Sequence, residues 1–78
     1  MSEVVLFSRP RCGLCDEARK VIVAVRERVA FDLREVDISG SDDLELEYGI
    51  RIPVVLVDGE EIAEIRLDPR DLETALRP

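Results

Sequence analysis

The chain has two cysteines, Cys12 and Cys15, set three residues apart in the stretch SRPRCGLC, residues 8–15. A pair at this spacing supports three kinds of chemistry. It is half of a tetrahedral metal site, a short structural bridge, or a dithiol that cycles to a disulfide and back. A bridge between these positions closes a loop of about four residues, to which the chain-entropy account assigns roughly 2 kcal/mol, so it is a poor staple. Zinc normally takes four ligands. The chain has no histidine and no third cysteine, so a metal site would need carboxylates or a second copy of the chain. No resident metal is expected.

With 78 residues there is room for one domain, read as residues 1–78. Such a chain buries only about 60–65% of the surface its unfolded form exposes, so its stability margin is thin. The opening stretch MSEVVLF holds an acid and a four-residue apolar run, too short for a secretory signal or a membrane span. The expected compartment is the reducing cytoplasm, where a cysteine pair is more often catalytic or metal-binding than structural. The net charge of −7, with one tyrosine and two phenylalanines, argues against nucleic acid as a partner. Residues 1–34 carry seven basic and five acidic side chains, and residues 35–78 four and thirteen. The acidic half reads as a soluble surface.

The elements that must position the cysteines follow from patterning. EVVLFS, 3–8, is a continuous apolar run ended by Ser8 and Pro10, which predicts a short buried strand. From Cys12 to about Val29 the spacing is helical: Cys15, Ala18, Ile22, Val25 and Val29 line one stripe. FDLREVDI, 31–38, predicts a second strand. Ser41 caps a two-turn helix through Tyr48, with Gly49 as its stop. PVVLV, 53–57, is a buried strand opening with proline. Asp58-Gly59 is a strong hairpin signal that returns the chain as a strand over about Glu60 to Arg66. DPRDLETAL, from Asp68, combines a cap with proline at the first helical position. The order β-α-β-α-β-β-α predicts an α/β fold with a mixed four-stranded sheet flanked by helices.

Cys12 then stands where the first strand hands over to the first helix, at the carboxyl end of a strand, where α/β sheets place their chemistry. Unpaired backbone N–H groups at a helix start stabilise an anion. Arg11 and Arg9 add positive potential, while Asp16 and Glu17 oppose it. The expectation is a Cys12 thiol that ionises more readily than an ordinary one. Cys15, almost one helical turn on and closer to the apolar stripe, should be sheltered and able to attack a mixed disulfide on Cys12.

At this point the sequence resembles the thioredoxin-like fold, and within it the short glutaredoxin-like proteins, over nearly the whole chain. One anchor is the strand followed by FSRPRCGLC, similar to glutaredoxin active sites in which a basic residue stands three before the first cysteine, as Arg9 does. The other is YGIRIPVVLVDG, 48–59, which looks like the segment leading into the cis-proline strand of thioredoxins. The resemblance implies a cis Ile52-Pro53 peptide facing Cys12, with the Ile52 backbone pairing to the substrate chain. Two departures stand out. Gly13-Leu14 matches neither the Pro-Tyr of glutaredoxins nor the Gly-Pro of thioredoxins. After the last strand the chain reads RLDPRDL, without the glycine pair and acidic turn that hold the glutamyl end of glutathione.

The reading is a thiol–disulfide oxidoreductase with Cys12 as nucleophile and Cys15 as resolving thiol. Arg9, Arg11, Ile52 and Pro53 form the substrate-binding set. No cofactor is needed beyond a reductant, with glutathione expected to bind weakly in that role. The expected partners are a protein disulfide and a reductant, either glutathione or an enzyme resembling thioredoxin reductase. Neither nucleic acid nor membrane is expected as a partner, and the expected state is a monomer. Two alternatives remain open: a dimer binding metal or an iron–sulfur cluster through Cys12, and a non-catalytic adaptor on the same fold.

Overall fold

The computed structural model describes residues 2–77. Its elements are β1 (Glu3–Ser8), α1 (Gly13–Arg26), β2 (Asp32–Asp37), α2 (Asp42–Tyr48), β3 (Val54–Val57), β4 (Glu60–Glu64) and α3 (Pro69–Leu76). The sheet order is β2-β1-β3-β4. β1 runs parallel to β2 and antiparallel to β3, and β3 runs antiparallel to β4. This is the mixed four-stranded sheet of a thioredoxin-like fold, as the residue pattern and the resemblance implied.

β1 sits inside the sheet, with a neighbour on each side, and this explains its unbroken apolar run. Side chains on both faces of an interior strand need cover, and Val4, Val5 and Leu6 are all buried. On one face, Val4, Leu6, Val55 and Val57 pack with Ala18, Ile22 and Val25 of α1, Leu72 of α3, and Phe31. On the other, the Phe7 ring stacks on Tyr48 of α2, centroids 4.2 Å apart and planes inclined by 18°. α2 has no fully buried residue, and Leu46 and Ile50 lie on the surface.

The caps form as their residue types dictate. Ser41 Oγ accepts the N–H of Leu44 at 3.3 Å, and Asp68 Oδ1 accepts that of Arg70 at 2.7 Å. Each satisfies a donor left free at a helix start. Asp58 and Gly59 both take positive φ, 51° and 85°, the backbone a two-residue hairpin of the favoured hand requires. Asp58 also accepts the N–H of Glu3 at 2.9 Å, which fastens the turn to the start of β1.

Several boundaries differ from the sequence expectation. α1 ends at Arg26 rather than near Val29, because the N–H groups of both Arg28 and Val29 donate to the Val25 carbonyl in a closing turn. Val29 still packs against the core. Gly49 caps α2 with φ −50°, so its left-handed freedom is not used. The register of β3 and β4 shifts between Val55 and Leu56, with Ile62 as the extra residue of a bulge. β4 stops at Glu64 instead of Arg66. Ile65 there has a φ of +68°, which takes the chain out of the sheet. Among the described residues no helix is long and apolar enough to cross a membrane.

Ile22 is wholly enclosed, whereas Val23 beside it is 51% exposed. Ile22→Ala should therefore lower unfolding free energy by about 2–5 kcal/mol, and Val23→Ala by less than about 0.5 kcal/mol. Urea midpoints at unchanged slope measure both. Equal effects would mean that α1 does not present this face to the sheet.

Candidate active site

Cys12 is the N-cap of α1, with extended backbone angles, and its Sγ accepts the N–H of Cys15 at 3.1 Å. The cap arises from the local sequence. Pro10 keeps the incoming chain out of a helix, Arg11 turns it through a left-handed conformation (φ 61°), and the apolar stripe of α1 starts at Cys15. The two cysteines are joined as a disulfide, with Cα atoms 5.1 Å apart. Cys15 has no exposed surface, while Cys12 is half-buried. Cys12 thus keeps some exposed surface and Cys15 keeps none.

Pro53 lies at the same end of the sheet. β1 and β3 are antiparallel with Phe7 opposite Val54, so the exit of β1 toward Cys12 adjoins the entry of β3. Ile52-Pro53 is a cis peptide, as the resemblance implied, and Pro53 is buried. Its carbonyl accepts the N–H of Ile65 at 2.8 Å, and the same N–H reaches the Arg51 carbonyl at 3.1 Å. The segment before β3 and the loop after β4 are thereby locked together.

The charged residues divide in a way the sequence does not announce. Arg9 turns to α2, where it pairs with Glu45 and lies 3.4 Å from the Gly49 carbonyl. This joins the loop before Cys12 to the segment leading into Pro53. Arg11 is exposed and makes no ion pair among the described residues. Asp16, which could oppose an anion at Cys12, is met by Arg19 at 2.6 Å.

Arg19 belongs to a network that sequence reasoning missed. Its Nε and Nη2 donate to the two carboxylate oxygens of Glu35 at 2.8 and 2.5 Å. The buried Ser8 hydroxyl donates to the same carboxylate at 2.8 Å. α1, β1 and β2 are tied together by this cluster at the level where β1 gives way to the cysteine loop. The Arg19 hydrogen bond holds Glu35 below the usual carboxylate range; Ser8 acts in the same direction, and partial burial opposes both. Among the described residues, no group of three or more His, Cys, Asp or Glu side chains is placed to hold a metal ion.

The architecture and a disulfide-spaced pair at the start of α1 define a thioredoxin-like protein with a redox role. The family described as "Glutaredoxin-like domain (DUF836)" matches residues 3–77, and the chain belongs to it. A structural-genomics target protein from X. campestris is 31% identical, covering 96% of this chain and 99% of that one, with a TM-score of 0.81. Protein Ne2328 from Nitrosomonas europaea is 24% identical over 97% of this chain and 92% of its own, with a TM-score of 0.85. A thioredoxin mutant from Halobacterium salinarum shares the fold at 22% identity and a TM-score of 0.69, covering 96% and 71%.

Glu35 carries a pH prediction. Its folded pKa lies below its unfolded value of about 4.3, so its stabilisation is complete above that value and fades as pH falls through the folded one. The carboxylate is about one-third exposed, and solvent screening limits such a pair to about 1 kcal/mol or less. In thermal melts between about pH 5 and 3, Glu35→Gln should flatten the acid-side fall in Tm by a few degrees. An unchanged slope would remove Glu35 from the acid response.

Proposed function

We propose that the protein is a thiol–disulfide oxidoreductase that reduces protein disulfides through a two-cysteine cycle. The observation that carries this reading is the asymmetry of the pair: Cys12 caps the helix and is only half-buried, while Cys15 is enclosed one turn on. In the dithiol form, the free N–H groups at the start of α1 favour a thiolate on Cys12. Arg11 adds positive potential there, and Arg19 offsets Asp16.

The Cys12 thiolate attacks one sulfur of the substrate disulfide and releases the other as a thiolate. The Cys15 thiol, after losing its proton, attacks Cys12 Sγ and releases the second substrate thiol. Two electrons have then passed to the substrate, and the Cys12–Cys15 disulfide remains. A reductant returns them. The cis Pro53 segment and the Ile52 backbone border the substrate, with Arg9 and Arg11 available to its acidic groups. Because Arg9 also pairs with Glu45, Arg11 carries more of that task. Glutathione is assigned a weak interaction, since Asp68 spends its side chain on capping α3 and no glycine follows Gly59.

Alkylation of the reduced protein at neutral pH should label Cys12 at least about tenfold faster than Cys15, with a titration midpoint below the ordinary thiol value of about 8.5. Equal rates would end the activated-thiolate account.

The choice of reductant is tested with Cys15→Ser and a glutathionylated peptide, with glutathione as reductant. The loss of one charge-assisted contact to glutathione costs about 1.5–3 kcal/mol, roughly 10- to 150-fold in affinity. The variant should therefore stall as a mixed disulfide while the wild type still reduces a protein disulfide. Retention of most of the activity by the variant would instead establish a one-cysteine glutathione route.

A further inference from the structure

Leu14, between the two cysteines, is 37% exposed, and Ile65 is 42% exposed. Both line a groove of about 400 Å³ between α1 and the loop joining β4 to α3. Ile65 is the less expected of the two. It is a β-branched residue in the left-handed region, φ +68°, where such residues are outliers. It is the middle residue of a three-residue turn closed by the Arg66 N–H on the Glu64 carbonyl at 2.7 Å. Glycine would adopt this backbone without strain, and strained residues cluster at ligand clamps. The strain places an apolar side chain at the groove rather than in the core. The groove wall adds two uncommitted carboxylates, Glu17 and Asp71, beside Asp68, which is held as the cap of α3, against one base, Arg66.

We propose that Leu14 and Ile65 are specificity-determining residues, and that the groove takes a polypeptide whose reacting cysteine is flanked by a leucine-sized apolar residue and a basic one. The apolar side chain enters between Leu14 and Ile65, and the basic one meets the carboxylate wall. The proposal rests on the oxidoreductase reading and adds the substrate class. The location suits it, because Leu14 sits inside the Cys12–Cys15 loop and Ile65 hangs on the carbonyl of Pro53. Neither Cys12 nor Pro53 lines the groove itself, so the side chain it takes comes from a residue flanking the cysteine under attack and not from that cysteine. The volume lies within the range of ligand pockets.

Single-turnover reaction of the reduced protein with defined disulfides tests it without any added reductant. The substrates are hydroxyethyl disulfide, glutathione disulfide, and homodimeric peptide disulfides whose cysteine is flanked by Leu and Lys, Ser and Lys, or Leu and Glu. For the wild type, the Leu/Lys peptide should react about tenfold faster than the Ser/Lys one, the equivalent of about 1.4 kcal/mol. It should also outpace the Leu/Glu peptide severalfold at low salt, with the gap closing as salt is added. Leu14→Ser and Ile65→Gly should each cut the Leu/Lys to hydroxyethyl disulfide rate ratio by about tenfold. Ile65→Gly should melt at or above the wild-type temperature, since it relieves the backbone. Equal rates on the three peptides, unchanged ratios in the variants, or glutathione disulfide reacting faster than the Leu/Lys peptide would overturn the proposal. A fall of several degrees in the Ile65→Gly melting temperature would make Ile65 a residue of the fold and overturn its assignment. No reaction with any of these disulfides would mark a failure of the oxidoreductase reading itself.

Discussion

The hydrogen bond from the Cys15 amide to Cys12 Sγ is the contact the rest of the structure serves. It exists only if a helix begins at the residue after Cys12, and only if the sulfur is turned back over that helix's first turn. Both conditions are met by elements outside the loop. β1 is fixed on two sides by β2 and β3, so its exit is among the best-determined points in the chain. α1 is held over the sheet by Ala18, Ile22 and Val25. The loop between them has little freedom left, and the left-handed Arg11 takes up the turn. A cysteine at the N-cap meets unpaired donors that a serine or aspartate would otherwise satisfy. Its sulfur therefore sits where negative charge is favoured before any side-chain base is counted.

Charge around this point is arranged by long-range pairs. Asp16 stands in the first turn of α1 and Glu17 follows it, where they would raise the cost of a second anion. Arg19 answers the first of them and also holds Glu35, which in turn receives the Ser8 hydroxyl. Arg9, three residues before Cys12, is engaged with α2 through Glu45 and Gly49. Of the two arginines beside the cysteines, one fastens two loops together and the other faces solvent. Their similar positions in the sequence conceal different tasks.

This difference shows what was legible in the chain. Local chemistry was readable: the Ser41 and Asp68 caps, the Asp58-Gly59 turn, the unbroken apolar β1 and the half-exposed Cys12 ahead of an enclosed Cys15 all follow from residues a few positions apart. The Arg19–Glu35 pair is not local. It joins α1 to β2 across 16 positions, and which of the many acids Arg19 meets is set by strand register and helix rotation. Ile65 was hidden for a different reason. The stretch EIAEIR alternates as a strand should, and a β-branched residue is the least suitable marker of a left-handed turn. A feature that runs against its own propensity leaves no trace in a propensity reading.

The redox bond and the stability of the fold are separable in this architecture. The Cys12–Cys15 bridge closes only about four residues, so it removes little entropy from the unfolded chain. Burial of Val4, Leu6, Ile22, Val55 and Leu72 between the sheet and two helices does the holding instead. In a domain this small that core leaves a modest margin, and a fold that needed its disulfide would come apart each time the bond opened. Cys15 is enclosed and Cys12 half-buried, and neither belongs to that packed cluster. The packing that holds the sheet and helices together is therefore separate from the bond between the two sulfurs.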